Sequence, residues 1–235
     1  MPIGILTDNL MVVLGGFAGS ILGARLSEKT KLNMNQLFAF ISMAIGISLI
    51  VKVSALGAMA LSLVGGFIIG NALKLEQHVN SFFSRLSIKL TKKSAPSAQY
   101  MAMFSTLLVL CCCSGTGWFG SINEGLTGDS STILCKAILD FFTVAIFATV
   151  LGRFTALIAI PQAVIFLTLF ACAKIIMPLV SVTMMQDFSA VGGVISLIIG
   201  FRILKLVEVE VINILPALLL VFPISQFWQW MLLHL

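Results

Sequence analysis

The sequence predicts an all-α membrane protein, a polytopic bundle of about seven or eight transmembrane helices with one interfacial amphipathic helix. Hydrophobic residues make up 59% of the 235 residues and charged residues 10%, whereas soluble domains have about 45–50% and about 25%. A membrane-spanning helix needs about 20 mostly apolar residues. Five charge-free stretches reach that length: 32–51, 53–73, 94–123, 154–173 and 211–233. The soluble globular class is therefore excluded.

The hydrophobic pattern places eight helices along the chain. The first stretch lacks a basic n-region and a small-residue cleavage site, which favours a retained helix over a cleaved signal peptide. The seventh helix is short, so the predicted count is seven or eight spans. The predicted helices cover residues 4–24, 34–54, 55–74, 97–116, 130–151, 154–176, 189–205 and 209–232.

A basic amphipathic segment, residues 75–96, separates the third helix from the fourth. This pattern is typical of a helix that lies on an anionic membrane surface, so membrane lipid is the expected partner and nucleic acid is not. The apolar positions at helical spacing are Leu75, Val79, Phe82, Phe83, Leu86 and Leu90, and the basic positions are Arg85, Lys89, Lys92 and Lys93.

The distribution of lysine and arginine predicts the orientation. With eight spans, one side receives 11 of the 14 basic residues, the other receives Lys52 and Lys174, and Lys136 lies within a helix. The positive-inside rule then places both termini outside the cytoplasm and the amphipathic helix inside it. Trp118, Trp228 and Trp230 fall at the predicted outer boundary.

A weak internal repeat is consistent with two parallel four-helix halves, and chance similarity between apolar segments is the alternative. The sequence IIGNALKLE at 68–76 resembles IIGFRILKLVE at 198–208, and some transporters are built from parallel repeats. The predicted organisation is helices 1–3 over 1–74, the amphipathic segment, helix 4 with a Gly-rich outer segment over 97–129, and helices 5–8 over 130–235.

Glycines recur at four-residue spacing, which leaves one helix face as bare backbone. This spacing favours close helix packing, within one protomer or in a homo-oligomer; a glycine-lined solute path is the alternative. The glycines assigned to packing are Gly15, Gly19, Gly23, Gly66, Gly70, Gly192 and Gly193.

Two opposite charges lie inside the fifth predicted helix. Lys136 and Asp140 are four residues apart, so they share one helix face. Starting from Ser130, Asp140 lies about 15 Å into the membrane, where each charge costs roughly 2.5–3.5 kcal/mol. We interpret the pair as an ion or proton coupling site with Asp140 as the titrating or cation-binding group. The alternatives are a structural ion pair and a lysine that reaches the outer interface.

The segment before this helix predicts irregular backbone. Gly115, Gly117 and Gly120 precede the turn sequence GLTGDS, and Asp129 or Ser130 is a natural N-cap. We expect residues 117–129 to form an outer loop or a re-entrant element that lines a cavity. The residues assigned to this solute or ion pathway are Asp140, Lys136, Asp129, Glu124, Asn123, Asp8, Asn9, Gln162 and Asn213. At the start of the seventh helix, Gln186, Asp187 and Ser189 are further polar residues.

The motifs of common enzyme classes are absent from the sequence. It contains no Walker lysine loop, no HExxH and no GxSxG. The five cysteines lie in apolar stretches without a nearby histidine, which argues against a zinc site or a disulfide framework. We therefore predict no enzyme activity, no catalytic residue, no metal and no cofactor. An intramembrane aspartyl protease using Asp8 and Asp140 is a minor alternative.

Several segments resemble the uncharacterised YqgA/YdfK family of bacterial inner-membrane proteins. They are GILTDNLMVVLGG at 4–16, GSINEGLTGD at 120–129, KAILD at 136–140, SAVGG at 189–193 and NILPALLL at 213–220. The resemblance covers nearly the whole chain, and it implies a multi-pass location in the bacterial cytoplasmic membrane. It implies no particular substrate. The chain departs from the family pattern at Asp8, where asparagine is usual.

Two functions agree with these features. The first is a transporter or channel for a small ion or a small charged or polar solute, with Lys136 and Asp140 in the pathway. The second is a structural or regulatory membrane protein without transport activity, which acts through its glycine faces and its amphipathic basic helix.

Overall fold

The computed structural model describes residues 1–23, 25–91, 98–176, 178 and 180–234, and within them the chain is helical without strands. Two 3-10 helices, Gly152–Ile158 and Val211–Ile214, precede the eighth and tenth α-helices. The α-helices are α1 (Ile3–Gly23), α2 (Glu28–Ile50), α3 (Leu56–Ala72), α4 (Leu75–Thr91), α5 (Ala98–Cys112), α6 (Gly115–Thr127), α7 (Ser131–Leu151), α8 (Ala159–Ile176), α9 (Val182–Ile203) and α10 (Pro216–His234). The prediction of an all-α polytopic bundle is confirmed.

The described residues contain six stretches long and apolar enough to cross a membrane, or seven if the bent pair α3–α4 is one span. One stretch, Ser131–Ile176, has 46 residues and a helical length of about 69 Å, which is more than twice the thickness of a bilayer core of about 30 Å. It contains α7 and α8, which run in opposite directions along α1. Counting these two helices separately brings the number of spans to the predicted seven or eight.

The chain divides into two compact units, and each joins distant parts of the sequence. Unit one comprises Met1–Phe38 and Leu107–Leu179, and unit two comprises Ala39–Thr106 and Val180–Leu235. These units do not follow the boundary between the two contiguous halves that the repeat suggested. The reason is that the first helix of the chain packs on helices made more than a hundred residues later.

In unit one, the glycine face of α1 packs directly on the backbone of α7. A Cβ atom on Gly15 would lie 2.6 Å from the carbonyl oxygen of Phe141, and one on Gly23 would lie 2.6 Å from that of Thr149. Both residue numbers rise together, so α1 and α7 are parallel. A Cβ atom on Gly16 would lie 2.9 Å from the backbone nitrogen of Ala156. Beyond Gly152, which has a φ of 73°, the chain therefore turns back along α1.

In unit two, glycines of α3 likewise pack directly on the backbone of α10 and of the 3-10 helix before it. Gly66 faces the backbone of Ala217, and Gly70 faces the backbone of Asn213. A third close approach joins α2 to α9, where a Cβ atom on Gly193 would lie 2.7 Å from the carbonyl oxygen of Gly46. Gly192 is also buried, and its carbonyl accepts a hydrogen bond from the hydroxyl of Ser196.

The two similar sequences that suggested a repeat end their helices in the same way. Lys74 follows α3 with a φ of 50°, and Lys205 follows α9 with a φ of 59°. Left-handed backbone is uncommon for residues other than glycine, so the shared conformation is a local structural counterpart of the sequence similarity.

The segment 115–127 and the start of α9 differ from expectation in their boundaries. The expected outer loop or re-entrant element is helical from Gly115 to Thr127 and ends at Gly128, whose φ is 77°. Helix α9 begins at Val182 rather than at 189, because the hydroxyl of Ser181 caps it by accepting the N–H of Met184.

The amphipathic segment forms α4 over Leu75–Thr91, bent by 55° from α3. Phe82 is exposed, and Phe83 is buried against Phe104 with ring centroids 4.8 Å apart. The side chains of Leu86, Lys89 and Leu90, and residues 92–96 with Lys92 and Lys93, lie outside the described residues.

Candidate functional site

Four polar side chains from three helices meet in the interior of unit one. Asp8 comes from α1, Lys136 and Asp140 from α7, and Gln162 from α8. Asp8 and Gln162 are fully buried, and Lys136 and Asp140 are 3% and 7% exposed. We call these four residues the charge cluster. The sequence assigned all four to one pathway, and the structure brings them together.

The hydrogen bonds of the charge cluster form a closed network. Lys136 Nζ donates to Asp8 Oδ2 at 3.2 Å and also to Asp140 Oδ2. Gln162 Nε2 donates to Asp8 Oδ2 at 2.6 Å and to Asp140 Oδ2 at 3.2 Å. Each of the two carboxylate oxygens thus accepts from both nitrogen donors. This arrangement also sets the orientation of the Gln162 amide, since its oxygen would be repelled by two carboxylates.

The packing of three helices determines which residues meet. The parallel pairing of α1 with α7 brings Asp8 to the level of Lys136, and the four-residue spacing adds Asp140. The antiparallel course of α8 brings Gln162 to the same level. One turn towards the start of α1, Ile5 forms an apolar cluster with Ile133 and Phe166. The charge cluster therefore lies against hydrophobic side chains.

The charge cluster is unbalanced in its ordinary ionised form. Two carboxylates and one ammonium leave a net charge of −1 in a buried site, where an unpaired charge costs several kcal/mol. In the described part of the chain, Asp8 Oδ1 and Gln162 Oε1 are buried without a hydrogen-bond partner. Both atoms are acceptors. The cluster therefore lacks one unit of positive charge, and two of its acceptor atoms have no hydrogen-bond donor.

Helix α6 begins beside Lys136. The Lys136 Nζ lies 5.0 Å from the centre of the Phe166 ring, and a Cβ atom on Gly117 would lie 2.9 Å from Lys136 Cε. The break between α5 and α6 is stabilised by two hydrogen bonds. Ser114 Oγ accepts the Gly117 N–H at 3.2 Å, and Trp118 Nε1 donates to the Cys112 carbonyl at 3.0 Å. The chain is thus broken at the depth of the charge cluster.

Glu124 has a different position from the one expected. It is 2% exposed, and its carboxylate accepts the N–H of Gly4 at 2.7 Å and that of Ile5 at 3.3 Å. The hydroxyl of Ser130 donates to the same carboxylate at 2.7 Å. An anion at a helix N-terminus satisfies free N–H groups and the helix dipole. Glu124 therefore ties the start of α1 to the α6–α7 turn.

The other outer residues of the predicted pathway do not reach the charge cluster. Asp129 is exposed, and its carboxylate accepts the N–H of Ser131 at 2.9 Å and the Ser131 hydroxyl at 3.0 Å. These hydrogen bonds hold the pKa of Asp129 below its ordinary value, and Asn123 adds a smaller contribution in the same direction. Asn9 donates to the Ile5 carbonyl at 2.8 Å.

Asn213 belongs to a separate polar cluster in unit two. Its Oδ1 accepts the N–H of Glu76 at 2.9 Å, and its Nδ2 donates to Glu210. Glu76 accepts the N–H of Ile212 at 3.1 Å and forms an ion pair with Arg202 at 2.7 Å. The sequence reasoning missed this ion pair. The repeat at 68–76 and 198–208, which contains both residues, was the available signal.

Asp187 is a buried carboxylate that is fully paired. Its Oδ1 accepts the N–H groups of Ser54 and Ala55 at 2.9 and 2.7 Å, and its Oδ2 accepts the Ser225 hydroxyl at 2.6 Å. It caps the start of α3 as Glu124 caps the start of α1. Asp187 thus differs from Asp8, which is equally buried but has one unpaired oxygen.

No group of three or more His, Cys, Asp and Glu side chains that could hold a metal ion occurs among the residues that the structure describes. The charge cluster contributes only two such side chains, and its lysine competes with any cation for them. The arrangement is suited to holding or exchanging a single positive charge.

Comparison with known proteins identifies the family. A family model described as "Protein of unknown function (DUF554)" matches residues 3–226. The chain belongs to this family. It is 41% identical over 230 residues to "Uncharacterized protein YqgA" of Escherichia coli (strain K12), which covers 97% of this chain and 98% of YqgA. The predicted resemblance to the YqgA/YdfK family is confirmed.

A second, more distant relative is described as a membrane protein. The chain is 24% identical over 226 residues to "Uncharacterized membrane protein YdfK" of Bacillus subtilis (strain 168), covering 92% of this chain and 93% of YdfK. No solved structure matches the chain. Together with the apolar helices, the similarity to YdfK shows that this DUF554 member is a multi-pass membrane protein.

Proposed function

We propose that this DUF554 protein moves a small cation across the membrane, with the charge cluster as the site of exchange. The observation that carries the proposal is the burial of two carboxylates with a single ammonium group among mutually bonded side chains, which is one positive charge short when all three are ionised. Burying even a balanced ion pair rarely adds stability relative to apolar residues. A cluster of this kind in a membrane protein therefore favours a role in handling charge.

The geometry supports a competition mechanism. Lys136 is an internal cation that already bonds both carboxylates. An incoming cation that reaches Asp8 or Asp140 weakens the ion pairs of Lys136. The ion pairs form again when that cation leaves. Such exchange needs a route for the cation, and the α5–α6 break beside Lys136 supplies irregular backbone at that depth.

The distribution of lysine and arginine supports one orientation in the membrane. We place the protein in the bacterial cytoplasmic membrane with both termini extracytoplasmic, because this orientation puts most lysines and arginines in the cytoplasm. Reporter fusions after the start of α2 and at the C-terminus test the orientation. A cytoplasmic signal from the C-terminal fusion would reverse it.

The test of transport is charge movement in proteoliposomes, recorded on a solid-supported membrane. The panel comprises protons, inorganic cations, amines and amino acids, applied as concentration jumps. We expect a current for one class of cation and its loss in the double variant Lys136→Met/Asp140→Asn. The matched control is Glu76→Gln/Arg202→Met, which removes a buried ion pair from unit two and should leave the current in place.

The alternative is a structural or regulatory membrane protein, for which the pair in α7 serves only packing. Wild-type protein without a current for any cation of the panel would support that alternative and contradict the proposal. Equal loss of current in both double variants would also contradict the assignment, because the effect would then follow from any lost ion pair.

A further inference from the structure

The charge cluster lacks a positive charge and a hydrogen-bond donor, and a single proton supplies both. It has an excess of one negative charge, and two of its buried oxygens, Asp8 Oδ1 and Gln162 Oε1, have no partner among the described residues. These two atoms belong to groups that are already joined, because Gln162 Nε2 donates to Asp8 Oδ2 at 2.6 Å. A neutral carboxylic acid and a primary amide can form two hydrogen bonds, one from amide to acid and one from acid to amide. The structure shows the first of them.

We propose that the cluster stores one exchangeable proton on Oδ1 of Asp8, which donates to Oε1 of Gln162, and that the proton is the cation this site handles. A hydronium ion delivers the proton: one of its O–H bonds breaks, an O–H bond forms at Asp8 Oδ1, and a neutral water molecule leaves. The remaining pair, Lys136 with Asp140, is then neutral. The transport role of the proton rests on the proposed function, but its presence on Asp8 does not.

A metal cation fits the cluster less well. An alkali ion prefers several oxygen ligands, and both Oδ2 atoms already face the N–H groups of Lys136 and Gln162. An ion bound between the carboxylates would lie beside an ammonium group, whose repulsion is strong in a buried site. A proton needs only one carboxylate oxygen, and the O–H group that it forms is itself a hydrogen-bond donor.

Among the residues that the structure describes, no other charged group supplies the missing positive charge. From α7, Lys136 and Asp140 face Asp8, and α8 contributes only the neutral Gln162. Helix α6 contributes Glu124, whose carboxylate accepts two N–H groups and a hydroxyl. Helix α5 contributes the thiols of Cys111 and Cys112, which are buried and free. Each of these groups is neutral or negative except Lys136, which is already counted.

The test is infrared spectroscopy of the purified full-length protein in lipid at pH 7.5, where ordinary carboxyl groups, with a pKa of about 4, are ionised. The C=O stretch of a protonated carboxyl group is separate from the carboxylate bands. We expect a band equivalent to one group in the wild type. Asp8→Asn removes the band. Asp140→Asn also removes it although Asp8 remains, because Lys136 alone then balances Asp8.

Two further variants test the charge balance and the location of the proton. Lys136→Met leaves two carboxylates without a cation, so the band should double. Gln162→Leu removes the acceptor of the proton, so the band should shift to higher frequency, as expected for a free acid. The matched control is Asp187→Asn, since Asp187 is equally buried but fully paired; its loss should leave the band unchanged.

Several outcomes would overturn the proposal. A wild-type spectrum without the band is one, and a band that survives Asp140→Asn or disappears with Asp187→Asn is another. Stabilisation of the folded protein by sodium or potassium over choline, with no band, would assign the site to a metal cation instead. The spectrum is independent of transport: a normal band without any proton current would retain the stored proton on Asp8 and contradict its role as the transported cation, whereas a missing band would contradict the stored proton itself.

Discussion

The carboxylate of Glu124 accepts the backbone N–H of Gly4 at 2.7 Å, although 120 residues separate the two in the sequence. Gly4 has no side chain to hold the carboxylate away, and a Cβ atom there would lie 3.1 Å from Glu124 Oε2. The start of α1 is therefore anchored by the last turn of α6. This contact fixes the level of Asp8, which lies one helical turn further along α1.

Removing the Glu124 carboxylate should destabilise unit one. Glu124→Ala leaves two N–H groups and the Ser130 hydroxyl without their acceptor, and hydrogen bonds to charged groups contribute about 1.5–3 kcal/mol. The measurement is the unfolding temperature of the detergent-solubilised protein. Asp129→Ala is the control, since Asp129 also accepts bonds from a helix start but is exposed. Equal effects of the two substitutions would show that burial of the Glu124 cap does not matter.

The glycine face of α1 should not accept a methyl group. In Gly19→Ala the new Cβ would overlap the carbonyl oxygen of Ala145, and overpacking of this kind costs about 1–3 kcal/mol. Resistance to unfolding by added denaturing detergent measures this loss of stability. Gly65→Ala is the matched control, because the nearest atom to its Cβ is Leu220 Cδ1 at 3.5 Å. A Gly65→Ala variant as unstable as Gly19→Ala would mean that glycine is needed for another reason.

Asp187 should contribute to the stability of the folded protein and should not affect the charge balance of the charge cluster. Asp187→Ala removes the acceptor of the Ser54 and Ala55 N–H groups and of the Ser225 hydroxyl, so we expect a loss of about 1–3 kcal/mol. Ser225→Ala removes only one of these bonds and should cost less. Thermal unfolding measures both. The idea fails if Ser225→Ala is the more damaging of the two substitutions.

The ion pair of Glu76 and Arg202 should show strong coupling. Removing one partner of a buried pair costs about 3–5 kcal/mol, because the other charge is left unpaired, whereas replacing both partners costs much less. A double-mutant cycle with Glu76→Gln and Arg202→Met, read out by unfolding in detergent, measures the coupling. Single effects that simply add would show that the two charges are not energetically paired.

The sequence predicts the membrane class and most helices because apolar length and charge are local properties. It also predicts that Lys136 and Asp140 share a helix face, since four-residue spacing suffices for that. The partners of this pair were on the predicted pathway, but their meeting was not deducible. Asp8 lies 128 residues from Lys136, and Gln162 lies 154 residues from Asp8. Only the packing of α1 against α7 and α8 brings them together.

Buried carboxylates were harder to assign from the sequence. Glu124 and Asp8 look alike in sequence, each being an acidic residue next to an asparagine. In the structure Glu124 meets backbone N–H groups and Asp8 meets side chains. The difference depends on where another helix starts relative to each carboxylate, which no local pattern records. The same holds for Asp187 and for the Glu76–Arg202 pair.

The parallel pairing of α1 with α7 has a consequence for how the protein is made. Synthesis proceeds at about 5–20 residues per second, so roughly 6 to 26 s pass between the addition of Asp8 and that of Lys136. During this interval α1 is already available for insertion with an acidic residue in its second turn and an open glycine face. The nascent chain must therefore keep its first helix beside the insertion machinery, or outside the lipid, until the seventh helix is made.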